Sequence, residues 1–470
     1  NPRYSVEDDE GYWHFRANRG RASRVARVSI RNGGNTKETK GEAKAESQTL
    51  RKGMSMNNVL KITLWGYDVG RLVWDDKERS AFFSFSPSFL STGYDIAPMT
   101  ASISKPYLRQ GGIYKGNIQQ KIYKGLPEFL ADSLPDRWGE SLISRWQYEN
   151  MPDVKFTPVD ALAFMGKRAM GALEFEPCFD QWGAPVDLEL SCLYKIADDI
   201  LNERSVAVDN LNSASMQSLY LVGTSAGGMQ PKAIIAINED DGTVKSGQVH
   251  LEGNFKYFIL KFDRVGHFPY TLMEKTYYDM ALACGIKMMP SRLITIDGHS
   301  HFITERFDRV GNDKLHIQTL AALSPDADCY EDLMKTARLL RIPDNELTGI
   351  FRIAAFNVFA ANVDDHNKNF SFLMGRDGHW HFAPAYDLNF TVDLHGSPLY
   401  HRHELTLCGK DRKITRDDIL RFGDDSCIRN ASSIIDDVEY AVSHFPDFAA
   451  ANGIDRQFID EIGGYLIGQK

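Results

Sequence analysis

Several features that would narrow the function of a 470-residue chain are missing from this one. Its six cysteines (Cys178, Cys192, Cys284, Cys329, Cys408 and Cys427) are scattered, with no Cys-x-x-Cys pair. That argues against a disulfide framework and a zinc site, and fits a reducing cytoplasm. No apolar run approaches the length of a membrane span, and no basic, apolar and cleavage-site pattern of a secretory leader opens the chain. Basic surplus is lacking too: 54 Lys and Arg face 63 Asp and Glu, a formal net charge of −9. This argues against nucleic acid as sole partner across the whole surface, while leaving room for a local basic patch or for DNA contact through another protein. Internal repeats and sustained heptads are absent. What is present is 43% hydrophobic residues, enough for the cores of two or three domains.

Residues 1–57 differ from the rest, being rich in Arg, Lys, Asn, Gly, Ser and Glu, with Tyr12-Trp13-His14-Phe15 as the one apolar cluster. Such a segment buries too little apolar surface to offset its ordering entropy, so a disordered, solvated tail is expected. Its Arg16, Arg19, Arg21, Arg24 and Arg27 are the chain's candidate basic patch, and Met54 or Met56 is a candidate start of the folded part.

The pattern over 58–178 predicts a small α+β domain. Val59–Trp65, a turn at Gly66–Gly70 and Arg71–Trp74 read as strand, turn, strand, and Ala81–Phe89 as a further strand. Leu126–Pro135 reads as helix, and Gly166–Phe175 as a closing turn and strand. Leu188–Leu211 reads as helix. Between Val222 and Phe307 strands dominate, at Lys232–Ile237, Tyr257–Phe262, Arg292–Ile296 and His301–Glu305, with one helix, Tyr270–Ala283, ended by Gly285. Beyond Thr319 the chain reads as helical, except around Phe370–Met374 and His379–Phe382. The expected fold is therefore α+β and bilobal, like a protein kinase: a β-rich lobe at 179–310 and a helical lobe at 311–470, with a nucleotide between them.

Phosphoryl transfer from Mg–ATP asks for a carboxylate that positions and deprotonates a hydroxyl, and for an amide oxygen and a second carboxylate that hold magnesium against the phosphates. Asn362-Val363-Asp364-Asp365-His366-Asn367-Lys368-Asn369 and the later Ala385-Tyr386-Asp387-Leu388 supply this set. The Asp-x4-Asn spacing selects Asp364 over Asp365 as base, with Asn369 and Asp387 as metal ligands and His366 and Lys368 in support of the loop or the γ-phosphate. Leu388 and Asn389 replace the Phe-Gly that follows the metal aspartate in eukaryotic protein kinases.

Upstream, Gly223-Thr224-Ser225-Ala226-Gly227-Gly228-Met229-Gln230 has glycines that let backbone N–H groups converge on phosphate. Met229 and Gln230 stand where a Walker A motif needs Lys and Ser/Thr. Lys232 follows, entering a strand, and Lys261 ends an apolar strand from which it would reach the α/β-phosphates. Glu274 is its candidate partner, although the interval is shorter than in the kinase signature. Glu305 and Phe307 lie where a hinge would meet adenine, and Arg306 with Asp308 reads equally as a structural ion pair. Five histidines (His379, His381, His395, His401 and His403) follow the catalytic loop, but no carboxylate or cysteine pattern completes a zinc site, and they are not assigned as ligands.

These residues place the chain close to a known family. From about residue 58 to its end it resembles the HipA-like serine/threonine kinases, toxins of bacterial type II toxin–antitoxin systems. The resemblance rests on Ser225–Lys232, Glu305–Arg309, Asn362–Asn369 and Ala383–Leu388, in that order, and on the small N-terminal domain. It implies ATP and Mg2+ as cofactors, Asp364 as base, Asn369 and Asp387 as magnesium ligands, Lys261 as an ATP-contacting lysine, and Gly223, Ser225, Ala226, Gly227 and Gly228 in the phosphate loop. It also implies autophosphorylation of Ser225, which would silence the enzyme by setting about two negative charges beside the nucleotide; the adjacent Thr224 is an alternative phosphosite. A helix-turn-helix, HipB-like antitoxin, operator DNA reached through it, and an aminoacyl-tRNA synthetase as protein substrate are the implied partners. The tail before residue 58 departs from the family pattern. Two other readings compete: a small-molecule phosphotransferase, and a co-repressor whose kinase activity is incidental.

Overall fold

The computed structural model describes residues 59–178, 185–201, 213–223, 230–264, 268–394 and 401–466. The tail at 1–57, the loop residues Ser225, Ala226, Gly227 and Gly228, and His395 lie outside the described residues.

Strands β1 (Val59–Leu64), β2 (Tyr67–Asp75), β3 (Ser80–Phe85), β4 (Tyr114–Lys115) and β5 (Leu173–Glu176) form one antiparallel sheet in the order β4-β3-β2-β1-β5. Alternation in β1 sends Leu60, Ile62 and Leu64 to the core. The β1–β2 turn is tighter than the expected Gly66–Gly70. It is the two residues Trp65 and Gly66, both left-handed (φ 52° and 86°), the conformation that matches the twist of a tight hairpin. The third strand stops at Phe85 because Ser86 caps a helical turn at Pro87–Leu90. Only Glu128–Ala131 of the expected Leu126–Pro135 helix is helical, and the long helix runs from Arg137 to Asn150. Proline at 135 disfavours helical geometry at Leu134, and Asp136 then opens a new helix by accepting the Gly139 N–H at 2.7 Å.

A second antiparallel sheet, β7-β6-β8-β10-β9, is built from β6 (Lys232–Asn238), β7 (Val244–Ser246), β8 (Phe255–Lys261), β9 (Ser291–Ile296) and β10 (His299–Glu305). The Tyr270–Ala283 helix crosses it and buries Met273, Glu274, Tyr277, Met280 and Ala281, one stripe at helical spacing. Gly285, left-handed at φ 80°, turns the chain out of that helix. A short ribbon, β11 (Arg309–Val310) and β12 (Asp313–Lys314), leads to a three-stranded sheet of β13 (His316–Thr319), β14 (Ser371–Met374) and β15 (Trp380–Phe382). This sheet stands at the head of a helical lobe whose core helix, Asp344–Phe359, packs on the Ala431–Ser443 helix. The fold is thus α+β and bilobal, kinase-like, with the small subdomain of β1–β5 ahead of it.

Candidate active site

A buried lysine of the β-rich lobe reaches a carboxylate of the helical lobe. Lys261, last in β8, is buried, and its Nζ hydrogen-bonds Glu274 Oε1 of the Tyr270–Ala283 helix and Asp387 Oδ1 of the segment after β15. Burial works against the ammonium charge, but the Asp387 and Glu274 carboxylates outweigh it and hold the Lys261 pKa above the ordinary lysine value. Burial likewise pushes up Glu274, with Lys261 opposing. Asp387 shifts down despite its burial, because Lys261 and Lys232 lie close. Its backbone is left-handed (φ 53°), a conformation aspartate tolerates better than most side chains and one found at functional turns.

Lys232 stands directly opposite Lys261 in the β6–β8 register. Its side chain is 2% exposed and pairs with Asp136 Oδ2 at 3.0 Å. Burial pulls the Lys232 pKa down, with Asp136 and Asp387 opposing. Two ammonium groups and three carboxylates therefore share the floor of the cleft.

The loop Asn362–Asn369 follows the Asp344–Phe359 helix, and its two adjacent aspartates face opposite environments. Asp365 is buried and accepts hydrogen bonds from Tyr330 Oη at 2.5 Å, His403 Nδ1 at 2.8 Å and the Glu404 N–H at 2.9 Å. The network extends from Tyr330 through Asn357 to Asn362, at 2.9 Å each. Asp364 is 60% exposed at its side chain, while its main chain is fixed. Its N–H donates to Thr391 Oγ1 at 3.0 Å, and its carbonyl accepts from Asn369 Nδ2 at 2.8 Å. Desolvation raises the Asp364 pKa, with His366 opposing and Glu404 and Asp387 adding to it. Asn369 spends its amide nitrogen on the loop, so its oxygen is the atom it can offer a cation. Asp387 and Asn369 present hard oxygen donors of the kind magnesium takes.

Not every expected residue joins this cluster. His366 Nε2 lies 3.9 Å from Asp364 Oδ1. Lys368 has an exposed side chain, and its carbonyl accepts from Tyr386 Oη at 2.8 Å. Gly223 is buried at the end of the Ser213–Val222 helix, where its N–H donates to the Leu219 carbonyl at 2.8 Å. A Cβ there would come 2.5 Å from Leu142 Cδ1, so close packing explains this glycine without a ligand. Glu305 pairs its carboxylate with Lys256 at 3.5 Å and donates its N–H to the Pro290 carbonyl at 3.0 Å. Phe307 packs on Tyr386 with ring centroids 5.3 Å apart. Arg306 and Asp308 form a fully buried ion pair at 2.7 Å. Asp308 also accepts from Arg309 at 2.9 Å and from the Gly171 N–H at 2.7 Å. Burial would raise its pKa, but Arg306 and Arg309 hold the carboxyl well below the usual range, so this cluster is a structural joint. His381 meets Glu346 at 3.0 Å and His401 the Asp393 carbonyl at 2.8 Å. Asp136 and Thr391 escaped the sequence reading; the only local signal for Asp136 was an acidic residue after proline, the mark of a helix start.

Two family models match the chain: the HipA N-terminal domain over residues 60–176 and the HipA-like C-terminal domain over residues 224–445. Among solved structures, the chain is similar to one from the Shewanella oneidensis MR-1 toxin–antitoxin complex of HipA, HipB and operator DNA. The TM-score is 0.60 at 16% identity, covering 87% of this chain and 95% of that one. At that identity the likeness is one of fold. The Helicobacter pylori proinflammatory kinase CtkA aligns over 45% of this chain and 88% of its own, at 13% identity and a TM-score of 0.32, too slight to reason from. No curated protein sequence matches.

Proposed function

The chain belongs to the HipA-like family, and on that premise we propose that it is a protein serine/threonine kinase that transfers the γ-phosphoryl group of ATP. The observation that carries this reading is the Lys261 ammonium, ion-paired to Glu274 and Asp387 across the cleft while Asp364 stands exposed on the neighbouring loop. In an active kinase a strand lysine with its helix glutamate holds the phosphates, and a separate aspartate receives the proton of the acceptor hydroxyl.

In the proposed reaction the acceptor hydroxyl oxygen bonds to the γ-phosphorus as the bond to ADP breaks, and the hydroxyl proton passes to Asp364. Desolvation helps here, since a raised carboxyl pKa makes Asp364 a better proton acceptor. Lys261 and Lys232 orient the phosphate oxygens. Asp387 and Asn369 would hold magnesium, which when bound neutralises charge on the transferring group. The floor of the cleft, with three carboxylates to two ammoniums, suits the entry of a divalent cation. Glu305 and Arg306 donate their N–H groups within the protein, so a base in the hinge would meet Phe307.

The family resemblance extends the proposal to a phosphosite, partners and a substrate. Ser225, or Thr224 beside it, is the proposed autophosphorylation site. A HipB-like helix-turn-helix antitoxin is the proposed partner, with operator DNA reached through it, and an aminoacyl-tRNA synthetase the proposed substrate whose modification arrests growth. All six cysteines are free, which supports a reducing cytoplasm as the compartment. No helix among the described residues is long and apolar enough to cross a membrane.

The test is to incubate the purified protein with magnesium and γ-labelled ATP beside D364A, and to locate phosphate by mass spectrometry. Label on Ser225 or Thr224, absent from D364A and abolished by EDTA, is the expected result. An unphosphorylated, inert wild-type protein would favour the co-repressor reading. A protein that already carries one phosphate would identify a silenced kinase.

A further inference from the structure

Lys232 and Lys261 are direct register partners on β6 and β8, so their side chains leave the sheet on one face. Like charges directly opposite destabilise a sheet, yet both side chains are buried here. Each has its own counter-charge. That of Lys261 comes from within the two lobes, whereas that of Lys232 comes from the N-terminal subdomain.

Asp136 opens the Arg137–Asn150 helix, and its carboxylate works in two directions. Oδ1 caps the helix on the Gly139 N–H at 2.7 Å, and Oδ2 takes the Lys232 ammonium at 3.0 Å. Two residues on, Trp138 Nε1 donates to the Lys232 carbonyl at 3.1 Å. The first turn of this helix thus holds Lys232 by both side chain and main chain. The rest of the helix grips the end of the Ser213–Val222 helix: Leu142 packs on Gly223, and Glu149 accepts from Tyr220 Oη at 2.7 Å.

We propose that Asp136 is a positioning residue of the phosphotransfer site, holding the Lys232 ammonium beside Lys261 where the two meet the phosphates of the nucleotide. The N-terminal subdomain then forms part of the nucleotide site. This rests on the reading above that the cleft takes ATP. A flexible lysine fixed in advance loses less side-chain entropy when phosphate arrives, and the neighbouring carboxylate favours the charged form of the buried amine against the pull of burial.

The test is calorimetric titration of Mg–ATP and of adenosine into the full chain, as wild type, D136N, K232M and the double variant. Asparagine keeps the helix cap while removing the charge. D136N is expected to weaken Mg–ATP binding about tenfold or more. Adenosine affinity should be unchanged, because adenosine has no phosphates, and a purely structural pair would not separate the two ligands. The double variant should bind Mg–ATP no more weakly than K232M alone, since both residues act through one ammonium. That comparison also serves if D136N, with Lys232 buried and its Asp136 carboxylate gone, fails to fold. Wild-type Mg–ATP affinity in folded D136N, or additive losses in the double variant, would overturn the proposal. Absence of Mg–ATP binding by the wild type would remove the phosphotransfer reading and this inference together. Normal wild-type binding that ignores Asp136 would remove this inference alone.

Discussion

Asp364 and Asp365 are neighbours in the chain with opposite physical situations, and substitutions should separate them. Asp364 is mostly exposed and anchored through its main chain. D364A is expected to lower phosphoryl transfer by roughly 10²–10⁴-fold, the range for loss of a general base, with the thermal midpoint unchanged. Asp365 has the reverse profile. Its removal strands Tyr330, His403 and the Glu404 N–H, so D365A is expected to cost about 3 kcal/mol of stability. Chemical denaturation of both variants beside an activity assay checks the pair; equal stability losses would contradict the assignment. Lys261 makes a third case. K261M leaves the buried Glu274 and the partly exposed Asp387 without this cation, at an expected cost of about 3 kcal/mol. Magnesium should recover part of that loss in the variant, read as a rise in its thermal midpoint.

At the scale of elements, the joint between the N-terminal subdomain and strand β13 carries a pH dependence. His316 is fully buried, and its Nε2 donates to the Ile96 carbonyl at 3.2 Å. Burial disfavours the imidazolium and pulls its pKa from 6.5 to about 4, with the Ile96 hydrogen bond opposing. The unfolded chain therefore binds a proton that the folded chain refuses between those two values. Stability from this group is complete above about pH 6.5 and falls as pH drops toward about 4, by about 3 kcal/mol in all. Unfolding free energies across that window should slope less steeply in H316F than in the wild type, by up to one proton per molecule. Parallel slopes would mean that the histidine titrates alike in both states.

Over the whole molecule, the N-terminal subdomain is joined to both lobes rather than to one. It meets the β-rich lobe through Asp136–Lys232 and through Arg168, which donates to the Leu221 carbonyl at 2.9 Å. The helical lobe meets it through Tyr123 Oη on the Ala321 carbonyl at 2.7 Å, Gln318 on the Phe129 carbonyl at 2.9 Å, and Thr319, whose N–H and hydroxyl both donate to Asp132. Asp308, beyond β10, takes the Gly171 N–H. Elements that share buried polar partners lose them together, so their unfolding is coupled. Scanning calorimetry of the full chain is expected to show one main transition for subdomain and lobes; a separate transition for the subdomain would contradict this.

Local signals carried much of the outcome from the sequence alone. Alternation placed β1, β6, β8 and β10 to within a residue or two, and a helical stripe ended by Gly285 placed the Tyr270–Ala283 helix, because these patterns are set by neighbours along the chain. The spacing of Asp364, Asn369 and Asp387 pointed to one chemistry, since kinase loops hold such groups at short, fixed separations. Signals failed where competition was local but subtle: a two-residue turn displaced the expected longer one, and Pro135 stopped a helix that composition favoured. Which charges meet was settled by the packing of segments far apart in the chain. Lys261 finds Asp387 across 126 residues and Lys232 finds Asp136 across 96, and neither separation leaves a trace in periodicity. A buried ammonium needs a carboxylate from whatever element packs against it, and that choice is made by the docking of lobes and subdomain, not by the residues on either side of it.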